Sequence, residues 1–469
     1  IFEEFFLFQI AYAWQRYSSG IEQKPFIVSV NKRIRTSAAR SLPFKLTPGQ
    51  KEAVKEIVED MQQPKSMHRL LQGDVGSGKT IVALLAAIVA MENGLQVAFM
   101  APTEILAVQH FQNISKLLSH SQFKVDLLIG GMASAKKEEC EARLKEGTTQ
   151  LVVGTHALVQ KAIRFRNLGL VVIDEQHRFG VAQRADLRGK GLRPDVLLMT
   201  ATPIPRTLAL TDYAELNVSK IKDLPPGRKP VRTVAVPESD RENIYQMLRK
   251  ELEAGRQVYV IYPLIEESEK VDLKSATEMA ERLQKEVFKS YRVGLLHGKL
   301  KQEVKDRVME DFVRGKIQVL VSTTVVEVGV DVPNASAMVV ENSERFGLSQ
   351  LHQLRGRIGR GPWESHCILF YGSSWTHDAR ERLKTMSLTQ DGFLIAEKDL
   401  ELRGPGDFFG TRQSGVPKFR AGDIMRDREI MEEAHLAARQ VVDEGQLTPE
   451  LHEFILKDWE RQFGLVGIG

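Results

Sequence analysis

The chain has 469 residues, an apolar fraction of 42%, a charged fraction of 27% and a formal net charge of +4. That length exceeds one ordinary core and suggests roughly two to four domains, while 65 Lys and Arg against 61 Asp and Glu exclude a globally basic binder, so any nucleic-acid contact must come from local patches. Two distant cysteines, Cys140 and Cys367, exclude a disulfide framework and a thiolate zinc site and suit a reducing cytosol.

The first predicted element, "IFEEFFLFQIAYAW", reads as a packing helix. Glu3, Glu4 and Gln9 interrupt it well short of the ~20 apolar residues that span a bilayer. It also lacks the basic n-region and cleavage site of a signal peptide. With no initiating Met ahead of it, the chain is expected to be part of a longer protein. Residues 1–40 are expected to form a linker helix and a connector with Arg33, Arg35 and Arg40 on an exposed strip.

From Leu70 to Val218 short apolar runs ("RLLQ", "QVAFMA", "VDLLIG", "LVVG", "LGLVVID", "DVLLMT") alternate with helix-periodic segments. This predicts α/β architecture, a parallel sheet covered by helices on both faces, over residues 41–226. "GDVGSGKT" follows the first strand and opens a helix, the context in which a G-x-x-x-x-G-K-[ST] loop cradles phosphates. Gly73, Gly76, Ser77 and Gly78 let backbone N–H groups curl around the anion, Lys79 reaches the outer phosphates, and the Thr80 hydroxyl ligates Mg²⁺. Upstream, Gln50 is either an adenine-reading amide or part of a plain helix N-terminus.

"LGLVVIDEQHRFGVAQR" ends a buried strand on two acids, an amide and an imidazole. A phosphate-binding loop requires such a strand, because Asp174 can then hold Mg²⁺ and Glu175 can orient or deprotonate the attacking water. Gln176 and His177 are open to two readings, sensing the γ-phosphate or closing a hydrogen-bonded strand end. "MTATPIPRT" adds the hydroxyls of Thr200 and Thr202 in a turn beside the carboxylates.

"KDLPPGRKPV" then breaks the pattern as a linker would. The alternation restarts with "QVYVIYPLI", "YRVGLLHG", "IQVLVSTT", "ASAMVVEN" and "SHCILFY", a second α/β domain over residues 227–375. "STTVVEVGVDVPNA" carries Gly329 and Asp331 in a loop that could contact ribose and nucleic acid. "LHQLRGRIGRG" places Arg355, Arg357 and Arg360 on a predicted helix and its end, where three guanidiniums repel unless an anion neutralises them. Polyphosphate held by the first domain is one such anion, and a nucleic-acid backbone is the alternative. Residues 376–469 read as charged helices around "LRGPGDFFGTRQSG", with the helix "GFLIAEKDLELR" ending at Gly404, Gly406 and Gly410.

The ordered set GDVGSGKT, APTEILAVQH, VGTHAL, DEQH, TATP, LLHG, STTVVEVGVDVPNA and QLRGRIGR resembles the motif series of superfamily 2 helicases and translocases. More narrowly, "DEQHRFGVAQRADLRGKG" and "DGFLIAEKDLELRGPGDFFGTRQSG" are similar to the RecG family, which remodels stalled forks and Holliday junctions. The resemblance implies two tandem RecA-like domains, ATP and Mg²⁺ as cofactors, and double-stranded and branched DNA as partners. It further implies a monomer in the bacterial cytoplasm, with single-stranded-DNA-binding protein as an additional partner. Thr103, Thr155, Thr200 and Thr202 would touch or sense DNA, and residues 391–415 would lever the motor along the duplex with Arg403 as the joint. Thr411, Arg412, Lys418 and Arg420 would lie near phosphate backbones, or be solvated. The family carries an oligonucleotide-binding wedge domain ahead of the motor, and the roughly 40 residues before "LPFKLT" are too few for one, so a motor fragment is expected. An Mfd-like module acting on RNA polymerase, an RNA helicase and a non-catalytic ATP-binding scaffold are the alternatives.

Overall fold

The computed structural model describes residues 1–19, 23–160, 162–176, 187, 189–201, 216–225, 228–263, 269–323, 330–372, 375–408, 419–423, 426–448 and 453, excluding the side chains of 12, 14–19, 39, 269–275, 403–408 and 443. Two parallel sheets organise it. Chain order begins with α1 (Phe2–Ser19), α2 (Lys32–Arg40) and α3 (Pro48–Met61). The first lobe continues through β1 (His68–Gly73), α4 (Lys79–Glu92), β2 (Gln96–Met100), α5 (Glu104–Leu117), β3 (Val125–Leu128), α6 (Ser134–Glu146), β4 (Leu151–Gly154), β5 (Leu168–Ile173), β6 (Asp195–Thr200) and β7 (Asn217–Ile221). Its seven strands lie in the order β3-β4-β2-β5-β6-β1-β7. β2, β4, β5 and β6 are buried along their whole length, as strands covered on both faces must be.

The second lobe holds β8 (Val231–Pro237), α7 (Arg241–Glu253), β9 (Gln257–Ile261), α8 (Glu269–Arg282), β10 (Val293–Leu296), α9 (Gln302–Val313), β11 (Val319–Ser322), β12 (Ala335–Val340), α10 (Leu348–Arg355) and β13 (Ser365–Tyr371). Its order is β10-β11-β9-β12-β13-β8, again with parallel pairing throughout. These are the two α/β domains expected from the alternation of strands and helices, RecA-like as the resemblance implies. Three further helices follow among the described residues: α11 (His377–Leu388), α12 (Gly392–Phe408) and α13 (Arg428–Asp443).

Two local expectations change, and α1 gains a partner. β7 and β8 are strands that the apolar runs do not reveal, since each lies at the edge of its sheet and is only partly buried. α12 does not stop at Arg403 but runs through Gly404, Pro405 and Gly406 to Phe408. Glycine disfavours a helix interior by ~1 kcal/mol and proline by ~3 kcal/mol, costs that the burial of Ile395, Ala396 and Leu400 earlier in the helix offsets. α1 is a packing helix, and it packs on α13: Phe5 is buried with Met431 and Ala434, and Ile10 with Ala438 and Val442.

The connector docks on the first lobe through Val28 and Ile34, leaving Arg33, Arg35 and Arg40 exposed. Lys24 anchors it, donating to both carboxylate oxygens of buried Asp195 (2.8 and 2.9 Å) and to Met61 O (2.7 Å).

Candidate functional site

Strand order builds the site. β5, β6 and β1 are neighbours, so their carboxyl ends bring Asp174, Thr200 and the loop after Gly73 to one edge, where ligands bind in open α/β sheets. The loop has left-handed turns at Gly76 (φ 77°) and Gly78 (φ 88°), and Gly78 caps α4. Its N-terminal N–H groups and helix dipole make this a place for an anion. Lys79 is buried and donates to the carbonyls of Gly73 (2.7 Å) and Asp74 (2.9 Å). Burial pushes its pKa below the ordinary lysine value, against the opposing pull of Glu175, Asp174 and Asp74. Thr80 stands in the first turn of α4, and the buried Ser77 hydroxyl has no hydrogen-bond partner.

Gln50 braces this loop from outside. In the capping box of α3 its Oε1 accepts from Thr47 N (3.0 Å), and its Nε2 donates to Ser77 O (2.8 Å). One end of the amide is thus fixed in its own helix cap while the other holds the loop.

Asp174 is buried at the end of β5 and bonded on both oxygens, to His110 Nε2 (2.8 Å) and to Glu175 N (3.0 Å). Burial alone would raise its pKa; the His110 bond and charge, Lys79 and the Glu175 amide outweigh that and hold it below the usual carboxylate value. Glu175 takes a left-handed conformation (φ 49°), which a non-glycine residue keeps only when its surroundings impose it. Its Oε2 accepts from Ala201 N (3.4 Å), joining the acid to the turn after β6. Gln176 and Thr200 are buried beside them.

The second lobe closes over this edge. Gly356, just past α10, leaves no room for a side chain against Val75 of the phosphate loop. Arg360 forms an ion pair with Asp331, whose own N–H donates across the lobes to Gln109 Oε1 (3.2 Å). Burial and the neighbouring Arg228 draw the Arg360 pKa down to about 10. Arg357 is buried on the same segment. Arg355 is the exception among the three guanidiniums. It turns into the second lobe and donates to Met386 O (2.9 Å) and Thr389 O (2.8 Å), so it serves structure there and not a polyphosphate.

Thr103, half-buried, caps α5 with its hydroxyl accepting from Leu106 N (3.4 Å), and Thr155 is buried. His177, Thr202, Gly329, Thr411, Arg412 and Lys418 lie outside the described residues, as does the side chain of Arg403. Arg420 is described and exposed, its N–H bonded to Glu4. Sequence reasoning missed His110, Arg228, Asp74 and His352. Arg228 donates to Val75 O, yet it sits in a Pro-rich linker where a charge reads as solvated. His110 belongs to the quoted "APTEILAVQH", whose helical spacing gave no sign that its last residue reaches Asp174.

Among the described residues no cluster of three or more His, Cys, Asp or Glu could hold a metal ion. Mg²⁺ is bound by one or two protein oxygens together with substrate phosphates. Asp174, kept charged, and the Thr80 hydroxyl are donors of that kind.

Family models match in chain order: DEAD/DEAH box helicase over residues 47–211, helicase conserved C-terminal domain over 241–362, and ATP-dependent DNA helicase RecG, domain 3, C-terminal, over 389–461. The chain is 48% identical to the ATP-dependent DNA helicase RecG of Synechocystis over 467 residues, 99% of this chain and 56% of that protein. It is 49% identical to the Thermotoga maritima RecG (96% and 57% covered) and 47% identical to that of Bacillus subtilis (98% and 67%). The chain thus spans little more than half the length of the first two. Among solved structures, RecG bound to a three-way DNA junction superposes with a TM-score of 0.76 at 47% identity, covering 92% of this chain and 56% of that one. Mss116p bound to single-stranded RNA and AMP-PNP matches at 17% identity and a TM-score of 0.59, covering 92% and 88%, a likeness of fold alone.

Proposed function

This chain belongs to the RecG family of ATP-dependent DNA helicases, and from that premise we propose that it is the motor of an ATP-hydrolysing double-stranded DNA translocase that remodels forks and Holliday junctions. One observation carries the reading: the acids and the phosphate loop stand on one lobe, and the segment Gly356–Arg360 of the other packs on the loop at Val75 and brings Arg360 within electrostatic reach of Lys79.

In this mechanism the loop amides and Lys79 bind the triphosphate, and Glu175 positions and deprotonates the attacking water. Mg²⁺ bound by Thr80 and Asp174 would neutralise phosphate charge. Arg357 and Arg360 stabilise the charge that develops on the transferred group, a contribution of about 10³ to 10⁵ in rate for arginines supplied across a cleft. Release of product relaxes the lobes, and repeated closure moves the duplex by way of α12, with Arg403 as the joint. His110 holds Asp174 in place throughout. The Mfd-like alternative is less well supported, because the model matching the tail is that of RecG.

DNA contact should run mainly through phosphates and weaken steeply with salt. The test is the ATPase rate against linear duplex, single-stranded, forked and four-way DNA and structured RNA. Forked and four-way DNA should stimulate most. Equal stimulation by single strands or RNA would contradict the reading.

A further inference from the structure

Asp74 occupies a singular place in the phosphate loop, because its backbone faces the nucleotide site while its side chain leaves for the other lobe. Its carbonyl accepts from Lys79 (2.9 Å). Its carboxylate accepts from His352 Nε2 (2.8 Å) and from Gly392 N (3.3 Å), the first residue of α12. These partners stand 278 and 318 positions away in sequence.

Each link is held from behind. Arg355 Nη2 lies 3.0 Å from His352 Nδ1, and since a guanidinium can only donate, Nδ1 accepts and the hydrogen sits on Nε2, facing Asp74. Arg355 is in turn bound to Met386 O and Thr389 O at the end of α11. Gly392 is required by the approach, since a Cβ there would collide with both Asp74 Oδ1 and His352 Nε2. The first N–H groups of α12 have no partner within the helix and carry its positive end, so a carboxylate at this point both bonds and neutralises it.

We propose that Asp74 is a positioning residue through which the phosphate site, by way of His352, sets the placement of α12. A triphosphate competes for the Lys79 ammonium and draws it from the Asp74 carbonyl. The loop then shifts, and the carboxylate, bonded on both oxygens, carries that shift to His352 and to the start of α12. The proposal rests on the translocase reading only in taking α12 as the helix that drives DNA.

The test uses a solvent-sensitive dye on Leu394→Cys, an exposed position of α12, in the full chain; the two native cysteines are buried. At saturating non-hydrolysable ATP analogue the dye emission should shift. His352→Ala and Gly392→Ala should each reduce that shift about fivefold or more, and His352→Gln, which keeps a donor, should restore it. Asp74→Ala combined with His352→Ala should be no worse than Asp74→Ala alone. An unresponsive dye in the unsubstituted background, or a full shift in His352→Ala, would overturn the proposal. Displacement of a third strand from duplex DNA separates the two ideas. A responsive dye without displacement removes the translocase reading and keeps the coupling, whereas displacement with a silent dye does the reverse.

Discussion

Glu175 and Asp174 are adjacent acids to which the proposed mechanism gives different work, and the backbone turns left-handed at Glu175. Because Glu175 is assigned to water and not to binding, Glu175→Gln should retain nucleotide affinity while slowing hydrolysis by about 10² to 10⁴. A titration showing equal loss of both would contradict that role. His110→Ala tests the neighbouring acid. The folded pKa of Asp174 lies below its ordinary 3.8, so its charge persists until pH falls through that lower value. Removing His110 leaves burial as the dominant influence, which raises the pKa, so the variant should lose ATPase activity at a higher pH than the parent as the solution is acidified. An acid limb that does not move would exclude the role. The residue types themselves were legible, because "GDVGSGKT" and "DEQH" are local patterns with a chemical purpose. His110 was not, because an imidazole at the end of a helix turn has no local mark that distinguishes a partner of Asp174 from a buried histidine.

At the scale of elements, the strands buried on both faces announced themselves as continuous apolar runs, and the edge strands β7 and β8 did not. A half-solvated strand needs few apolar residues, so composition cannot separate it from a loop. The helix α1 was legible as a packing helix but not in its choice of partner. Phe5 is fully buried against α13 and meets the Phe419 ring edge-on, with centroids 4.9 Å apart. Phe5→Ala should therefore destabilise the α1–α13 pair by about 3–5 kcal/mol. Hydrogen exchange should show that loss in α1 and α13 while the two sheets keep their protection. Uniform deprotection of the whole chain, or none, would show that the pair is not the unit assumed.

Across the whole molecule, the proposed hydrolysis draws on guanidiniums and acids carried by separate lobes. Arg360→Ala should lower DNA-stimulated ATP turnover by about 10³ to 10⁵, and Arg360→Lys should restore little, since an ammonium lacks the planar fork. Turnover within tenfold of the parent would mean that Arg360 serves only its ion pair with Asp331. The sequence by itself determined the two α/β sheets, the phosphate loop, the strand ending in acids and the order in which these occur. Those features depend on hydrophobic period and on backbone chemistry within a few residues. Only the tertiary structure decided that Arg355 turns inward, that Arg228 reaches the phosphate loop, and that Asp74 meets His352 and Gly392. A hydrogen bond between residues hundreds of positions apart depends on how two finished surfaces dock, and no local pattern encodes that.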